Sequence, residues 1–429
     1  MKLGTRQVNR GKDSCRQRPT TATRGVRMPL PVPRNVAFWF VVALYVVVLS
    51  GITLPTPLYV IYQSRWDLSN STITLLFATY PVAVLFVLVL AGHWSDAIGR
   101  RPVLVAAIAA SVVSSAIFLV AQNYYALFLA RAVSGIASGL VVGTANAALI
   151  ELASATRHRW ASLVSTVTNQ FGLGLGALVA GVLAEFVPGP THVVFAAHLA
   201  CLGAAAVCLL FVPETVRARE FHSVKQRLRL PRSGRAEFVA AAGAAFSAFA
   251  LCGLLAALAP TFVRTGLSNQ SYAAGGAVVF LIFAASAMSQ PVWFYLPEVP
   301  AMIIGLTLFV TGLSLITFGL WRSSTIVFLS GILVGGAAVG AVFMGSLAVV
   351  NAHAGVDERS QVTSSYFAVA FSGLVLPVIG AGWAADRFGP TEAALIFAIT
   401  ISLLAMASAS LIIITNYHVS HGKASTSLT

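Results

Sequence analysis

Gly92-His93-Trp94-Ser95-Asp96-Ala97-Ile98-Gly99-Arg100-Arg101 is a short polar break between two long apolar runs, and its composition decides how the rest of the chain is to be read. Glycines at both ends of so short a stretch permit a tight turn packed beneath neighbouring helices. Asp96, at a helix end, can pair with Arg100 or with the positive end of another helix. Arg100 and Arg101 also suit a loop anchored by charge on the cytoplasmic side of a membrane.

Working outward, 58% of the 429 residues are hydrophobic and only 9% are charged, where soluble domains carry about 25%. That balance is that of an integral membrane protein. A spanning helix needs roughly 20 mostly apolar residues. The polar breaks divide the chain into twelve runs of this size: Asn35 to Leu58, Ile73 to Gly92, Pro102 to Gln122, Tyr124 to Glu151, Trp160 to Phe186, His192 to Phe211, Glu237 to Val263, Tyr272 to Trp293, Ala301 to Trp321, Thr325 to Asn351, Val362 to Ala385 and Thr391 to Thr415. The expected fold is therefore an all-α membrane protein.

A net charge of +14 suggests nucleic acid until the basic residues are placed. They gather in the tail before Asn35 and in alternate loops: Arg100 and Arg101, Arg157 and Arg159, and the central run from Arg217 to Arg235. The intervening loops hold little beyond Arg65, Arg264, Arg322 and Arg387. Positive charge marks the cytoplasmic side and faces anionic lipid, so both termini are expected inside and no nucleic-acid partner is expected. The tail is too polar for a cleavable signal, and Met28 offers an alternative start. Cys201, Cys208 and Cys252 within apolar runs and Cys15 in the tail read as packing residues, with neither disulfide nor metal spacing.

The chain also repeats itself. The fifth and eleventh runs align at an offset of 200 positions, pairing Phe171 with Phe371, Ala184 with Ala384, and Gly189-Pro190-Thr191 with Gly389-Pro390-Thr391. The fourth and tenth runs pair Ser134-Gly135-Ile136 with Ser330-Gly331-Ile332, and Gly139 with Gly335. The expected organisation is a cytoplasmic tail (1–34), a six-helix bundle (35–212), a basic linker (213–236), a second six-helix bundle (237–415) and a cytoplasmic tail (416–429). The second-half counterpart of the opening loop, Gln290 to Pro300, has none of its Arg or Asp residues.

Gly92, Asp96, Gly99, Arg100 and Arg101 stand in the register of the loop between the second and third helices of major facilitator transporters, and the opening stretch resembles that loop. Trp94 and Ala97 depart from it, which removes part of the family's charge network. Pro213-Glu214-Thr215 resembles the close of the sixth helix in many relatives. The resemblance implies twelve helices in two pseudo-symmetric bundles, alternating access, and substrate held between the halves. It also implies that Gly92, Asp96, Gly99, Arg100 and Arg101 form a conformational latch; Glu151, at the cytoplasmic end of the fourth run, either completes a charge cluster with Asp96 or is a solvated helix end.

Further candidates follow from charge and from likeness together. Arg131 lies well inside the fourth run, where an Arg costs about 2.5 to 3.5 kcal/mol and so faces a cavity or a partner, unless its head snorkels to the surface. Arg131 with Gly135 resembles the family's fourth-helix Arg, linked to proton coupling or an anionic substrate. Gly172, Gly176 and Gly181 resemble the fifth-helix signature of exporting branches, although Ala177 replaces its Pro and Pro377 stands at the equivalent place in the eleventh run. Glu185, His198 and Asp386 are candidates to titrate in a coupling cycle. The first run carries no carboxylate, unlike that of many drug exporters of the superfamily. Uncharged cavity candidates are Tyr45, Thr53, Thr56, Asn146, Asn169, Gln170, Gln290 and Tyr366. Such a lining suits an amphipathic or weakly charged organic solute better than a sugar or a phosphate.

The expected function is secondary transport across a bacterial-type inner membrane by a monomer without cofactors, favouring proton-coupled efflux of small organic compounds. Metabolite uptake is the alternative within transport. A non-transporting sensor or scaffold, working through the basic tail and central loop, is the alternative of another class. No Ser/His/Asp set, metal-spaced His cluster or phosphate-binding Gly-rich motif followed by Lys supports an enzyme, and no nucleotide-binding domain supports ATP-driven transport.

Overall fold

The computed structural model of the chain describes residues 32–91, 94–215, 230–231, 234–293, 295–355 and 358–426. The tail with Met28, most of the central linker and Gly92 lie outside the described residues, as does the side chain of Asp96. No strand occurs among the described residues. Among the described residues, twelve helices are long and apolar enough to cross a membrane: α1 (Arg34–Trp66), α2 (Asn70–Leu88), α3 (Arg100–Val120), α4 (Tyr124–Leu152), α5 (His158–Phe186), α6 (Pro190–Leu210), α7 (Arg235–Gly266), α8 (Tyr272–Trp293), α9 (Glu298–Trp321), α10 (Thr325–His353), α11 (Gln361–Phe388) and α12 (Pro390–Asn416).

The first helix runs past the expected Leu58 to Trp66 because Pro55 and Pro57 bend it without ending it. A proline donates no N–H to the carbonyl one turn earlier, and the helix restarts at Pro55 after a break at Leu54. Helix α11 breaks in the same manner at Leu374 and Val375, just ahead of Pro377. The repeated Gly-Pro-Thr is a repeated turn. Gly189 (φ 68°) and Gly389 (φ 101°) both take positive φ, which an L side chain resists, and Pro190 and Pro390 then open α6 and α12.

Packing repeats as well. Helix α1 lies against α4, α5 and α6, as α7 lies against α10, α11 and α12; α2 meets α4 as α8 meets α10. The two sets of six join mainly along two seams, α5 with α8 and α11 with α2. This crosswise pairing is what a pseudo-twofold axis between the bundles produces. Small residues permit it. Gly276 of α8 lies against the Ala177 carbonyl of α5, and Gly382 of α11 lies against Thr74 of α2, so a side chain at either glycine would hold the seam apart.

One alignment from the sequence is corrected. Gly135 and Gly139 face α2 at Tyr80, Ala83 and Val87, whereas Gly331 faces α9 at Ile316. The residues of α10 that face α8 are Gly336, against Ile282 and Ala285, and Gly340, against Ser286 and Ser289. Gly336 and Gly340 are thus the packing equivalents of Gly135 and Gly139. The Ser-Gly-Ile match was a coincidence of small residues on a different helix face.

These contacts make a direct contrast testable. A Cβ at Gly135 would lie 2.7 Å from that of Ala83 and against the Tyr80 carbonyl, whereas one at Gly143 would meet nothing within 4 Å. Gly135→Val is expected to cost at least the 1 to 3 kcal/mol typical of overpacking (~2 kcal/mol) and to lower the unfolding temperature in detergent by several degrees. Gly143→Val on the same helix is expected to stay within about 0.5 kcal/mol of the parent.

Candidate functional site

At the face carrying the opening loop, Gly99 takes φ 109° and α3 begins at Arg100. The first turn of α3 has free backbone N–H groups, and Glu214 from the end of α6 meets two of them. Arg100 N donates to Glu214 Oε1 and Arg101 N to Oε2, both at 2.9 Å. A carboxylate here is favoured by both the hydrogen bonds and the helix dipole. Gly99 must remain small, since a Cβ would lie 2.7 Å from Glu214 Oε2. The Arg100 side chain, 10% exposed, forms an ion pair with Glu151 at the end of α4 (Nη2 to Oε1, 2.8 Å) and donates to Ser95 Oγ at 2.6 Å. Thr215 Oγ1 donates to the other Glu151 oxygen at 2.5 Å, and Arg101 Nη2 donates to the Leu210 carbonyl at 3.0 Å. The structure thus brings Glu151 together with Arg100 and Thr215. Glu214 was missed as a site residue although Pro213-Glu214-Thr215 was noted; an acid directly after a helix-ending proline was the available signal.

Arg131 does not snorkel. It is fully buried, and its guanidinium donates to the Ile52 carbonyl, beside the α1 break, and to the Tyr59 hydroxyl. The rings of Tyr80, Tyr59 and Phe77 lie 5.2, 5.4 and 5.6 Å from its central carbon. Aromatic faces offset part of the desolvation cost of a buried cation, each by about 0.5 to 2 kcal/mol. Nε has no hydrogen-bond partner, and neither do the buried hydroxyls of Thr56 and Tyr62. No carboxylate pairs with Arg131 among the described residues, so a positive charge is held inside the first bundle.

The remaining candidates fall into three groups. His198 is tied within the first bundle: a carbonyl can only accept, so Nε2 donates to Val47 O at 2.9 Å, and Nδ1 meets Ser115 Oγ at 2.8 Å. Glu185 and Asp386 instead reach across the seams at the opposite face from Arg100. Glu185 Oε2 accepts from Tyr272 N at 2.7 Å, and Asp386 accepts from the backbone N–H groups of Asn70 and Ser71, both at 2.8 Å. The glycines of α5 serve two partners, with Gly172 and Gly176 against α1 and Gly181 against α8.

Of the expected cavity residues, Tyr45 accepts from Asn169 Nδ2 and Tyr366 pairs with Ser346, but both tyrosines are buried in helix contacts. Thr53 donates to the Leu173 carbonyl, and Gln170 crosses the α5–α8 seam to Ser286 Oγ at 2.8 Å. Gln290 is buried with neither amide atom partnered, and Asn146 is exposed within α4. Sequence reasoning did not single out an aromatic cluster that joins Phe249 of α7, Phe343 of α10, and Phe367 and Phe371 of α11, with centroids 5.4 to 6.4 Å apart along its contacts. All four rings are half-buried. Helix α7 is the most enclosed of the twelve, with 78% of its apolar window buried, and Phe249 is one of its partly exposed positions.

Comparison with known proteins gives this geometry its context. The family model described as Major Facilitator Superfamily matches residues 38–376. The chain is 28% identical over 142 residues to the tetracycline resistance protein, class D, of Salmonella ordonez, covering 33% of this chain and 35% of that protein. It is 25% identical over 193 residues to multidrug resistance protein 1 of Bacillus subtilis (strain 168), covering 45% and 49%. The matches thus span half or less of those relatives' lengths. The crystal structure of the human organic anion transporter MFSD10 (TETRAN) superposes with a TM-score of 0.66 at 20% identity, over 89% of this chain and 99% of that one, a likeness of fold alone.

The Arg100–Glu151 pair yields a checkable coupling. Arg100→Ala and Glu151→Ala are each expected to destabilise the first bundle, and the double variant to lose less than their sum by about 0.5 to 3 kcal/mol. A double-mutant cycle on unfolding temperature measures it. Strict additivity would show that the pair contributes nothing.

Proposed function

The chain belongs to the Major Facilitator Superfamily, a family of transporters, and from that membership we propose that it exports small amphipathic organic compounds in exchange for protons by alternating access. The half-buried cluster of Phe249, Phe343, Phe367 and Phe371 carries this reading. A transported molecule must be bound and released in each cycle, which favours adaptable apolar contact over a rigid array of hydrogen bonds. Aromatic walls supply that contact without demanding a fixed charge on the solute.

Two further observations support it. The similar proteins named above include a tetracycline resistance and a multidrug resistance protein. Arg131, buried with no carboxylate partner among the described residues, provides an internal positive charge that repels a proton and attracts an anion arriving nearby. The residues 35–212 and 237–415 act in this scheme as the two moving bundles, and the positive-inside rule puts the Arg100 face in the cytoplasm and the Asp386 face outside.

Efflux-deficient cells that express the chain are expected to accumulate several-fold less of one or more lipophilic cations or neutral dyes than cells with empty vector. Phe343→Ala, Arg131→Ala or a protonophore is expected to restore accumulation, with membrane levels of the protein confirmed by immunoblot. Accumulation equal to the vector control across the panel rejects export of this class, and accumulation above it reverses the direction to uptake.

A further inference from the structure

Glu185 and Asp386, two of the carboxylates at the face opposite Arg100, lie outside both the cluster and the proposed solute site, and their surroundings correspond. Asp386, near the end of α11, accepts through Oδ1 from Asn70 N at 2.8 Å and Asn70 Nδ2 at 3.0 Å, and through Oδ2 from Ser71 N at 2.8 Å and Ser71 Oγ at 2.5 Å. Asn70 and Ser71 are the first two residues of α2. Glu185, at the end of α5, accepts through Oε2 from the first two backbone N–H groups of α8, Tyr272 at 2.7 Å and Ala273 at 3.4 Å. Each acid belongs to one bundle and each capped helix to the other.

The glycines repeat the correspondence. One turn before each acid stands a glycine, in Gly181-Val182-Leu183-Ala184-Glu185 and Gly382-Trp383-Ala384-Ala385-Asp386. A Cβ on Gly181 would lie 2.7 Å from the Tyr272 carbonyl and 3.1 Å from Gly276 Cα, and one on Gly382 would lie 2.7 Å from Thr74 Cγ2. Thr74 and Gly276 in turn lie one turn into the capped helices. Each glycine thus lets its helix approach until the acid, one turn further on, reaches the free N–H groups of the opposing helix.

We propose that Gly181 with Glu185, and Gly382 with Asp386, are two symmetry-related gate latches that hold this face shut, each by seating a carboxylate on the first turn of a helix in the opposite bundle. The free N–H groups and the helix dipole both favour an anion there, and separating the bundles at this face removes the anion from both latches at once. The latches are unequal, with four donors on Asp386 and two on Glu185. The proposal rests on the alternating-access reading but not on the solute or its direction.

The test uses the full chain in membranes, with its cysteines replaced and Thr74→Cys as reporter, since Thr74 is fully buried against Gly382 at the seam. A membrane-impermeant maleimide is applied to each side in turn. From the Asp386 face, Asp386→Asn is expected to raise the labelling rate about tenfold and Glu185→Gln about threefold, consistent with loss of charge-assisted contacts at an exposed helix end. Asp386→Glu, which keeps the charge, is expected to stay near the parent, and Ser71→Ala to fall between. Rates within twofold of the parent for both neutral variants overturn the latches. Equal rises for Asp386→Asn and Asp386→Glu also overturn them, because packing and not charge would then hold the seam. Labelling reads the gate whether or not any dye is exported, so it fails or succeeds separately from the efflux assay.

Discussion

In hydrocarbon no water is at hand to satisfy a polar group, so every backbone or side-chain dipole placed there must find its partner in the protein. Most features of this chain answer to that constraint. The α1 break at Leu54 disturbs the backbone ladder beside Ile52, and the Arg131 guanidinium bonds the Ile52 carbonyl. The first turns of α2, α3 and α8 present free N–H groups, and Asp386, Glu214 and Glu185 take them. With only 13 Asp and Glu residues in the whole chain, the use of three at helix starts shows where acidic charge is tolerated here, at the rims where dipole and solvent both favour it.

The halves share a frame and differ in chemistry. Both have the same order of neighbours and the same Gly-Pro turn before the last helix. The first half concentrates charge, in Arg100 with Glu151 and in Arg131 within its ring of aromatics. The second has no counterpart of either among the described residues, and carries the phenylalanine cluster instead. A duplicated scaffold has thus been divided, one side towards ionic contacts and the other towards apolar ones.

Much of this was legible from the residues alone. The twelve spans stand out because apolar length is the strongest signal a membrane chain carries, and the Gly92 to Arg101 stretch identified the loop from spacing. Glu151 pairs with Arg100 in the structure, and an acid at a helix end near two arginines is a signal a sequence can carry, whereas the Asp96 side chain expected beside it lies outside the described residues. The partners of Glu185 and Asp386 were not legible, since backbone N–H groups leave no mark in a sequence. The matching of Gly135 with Gly331 failed for a related reason: several small residues in α10 were available, and only packing against α8 singles out Gly336 and Gly340. His198 looked like a titrating candidate, while its partners, a carbonyl and a serine on neighbouring helices, show a tie within one bundle.

The two Gly-Pro turns bear on how such a chain is assembled. Gly189 has nothing near it that a side chain would strike, so its backbone angle and not the surrounding protein calls for glycine there. A corner specified by its own residues needs no distant contact to form. Each pair of helices it joins, α5 with α6 and α11 with α12, can close as a hairpin while the chain is still being made, with little loop entropy to overcome. The α11–α12 hairpin would then enter the bilayer already paired, so that neither of its apolar helices waits alone for its neighbour.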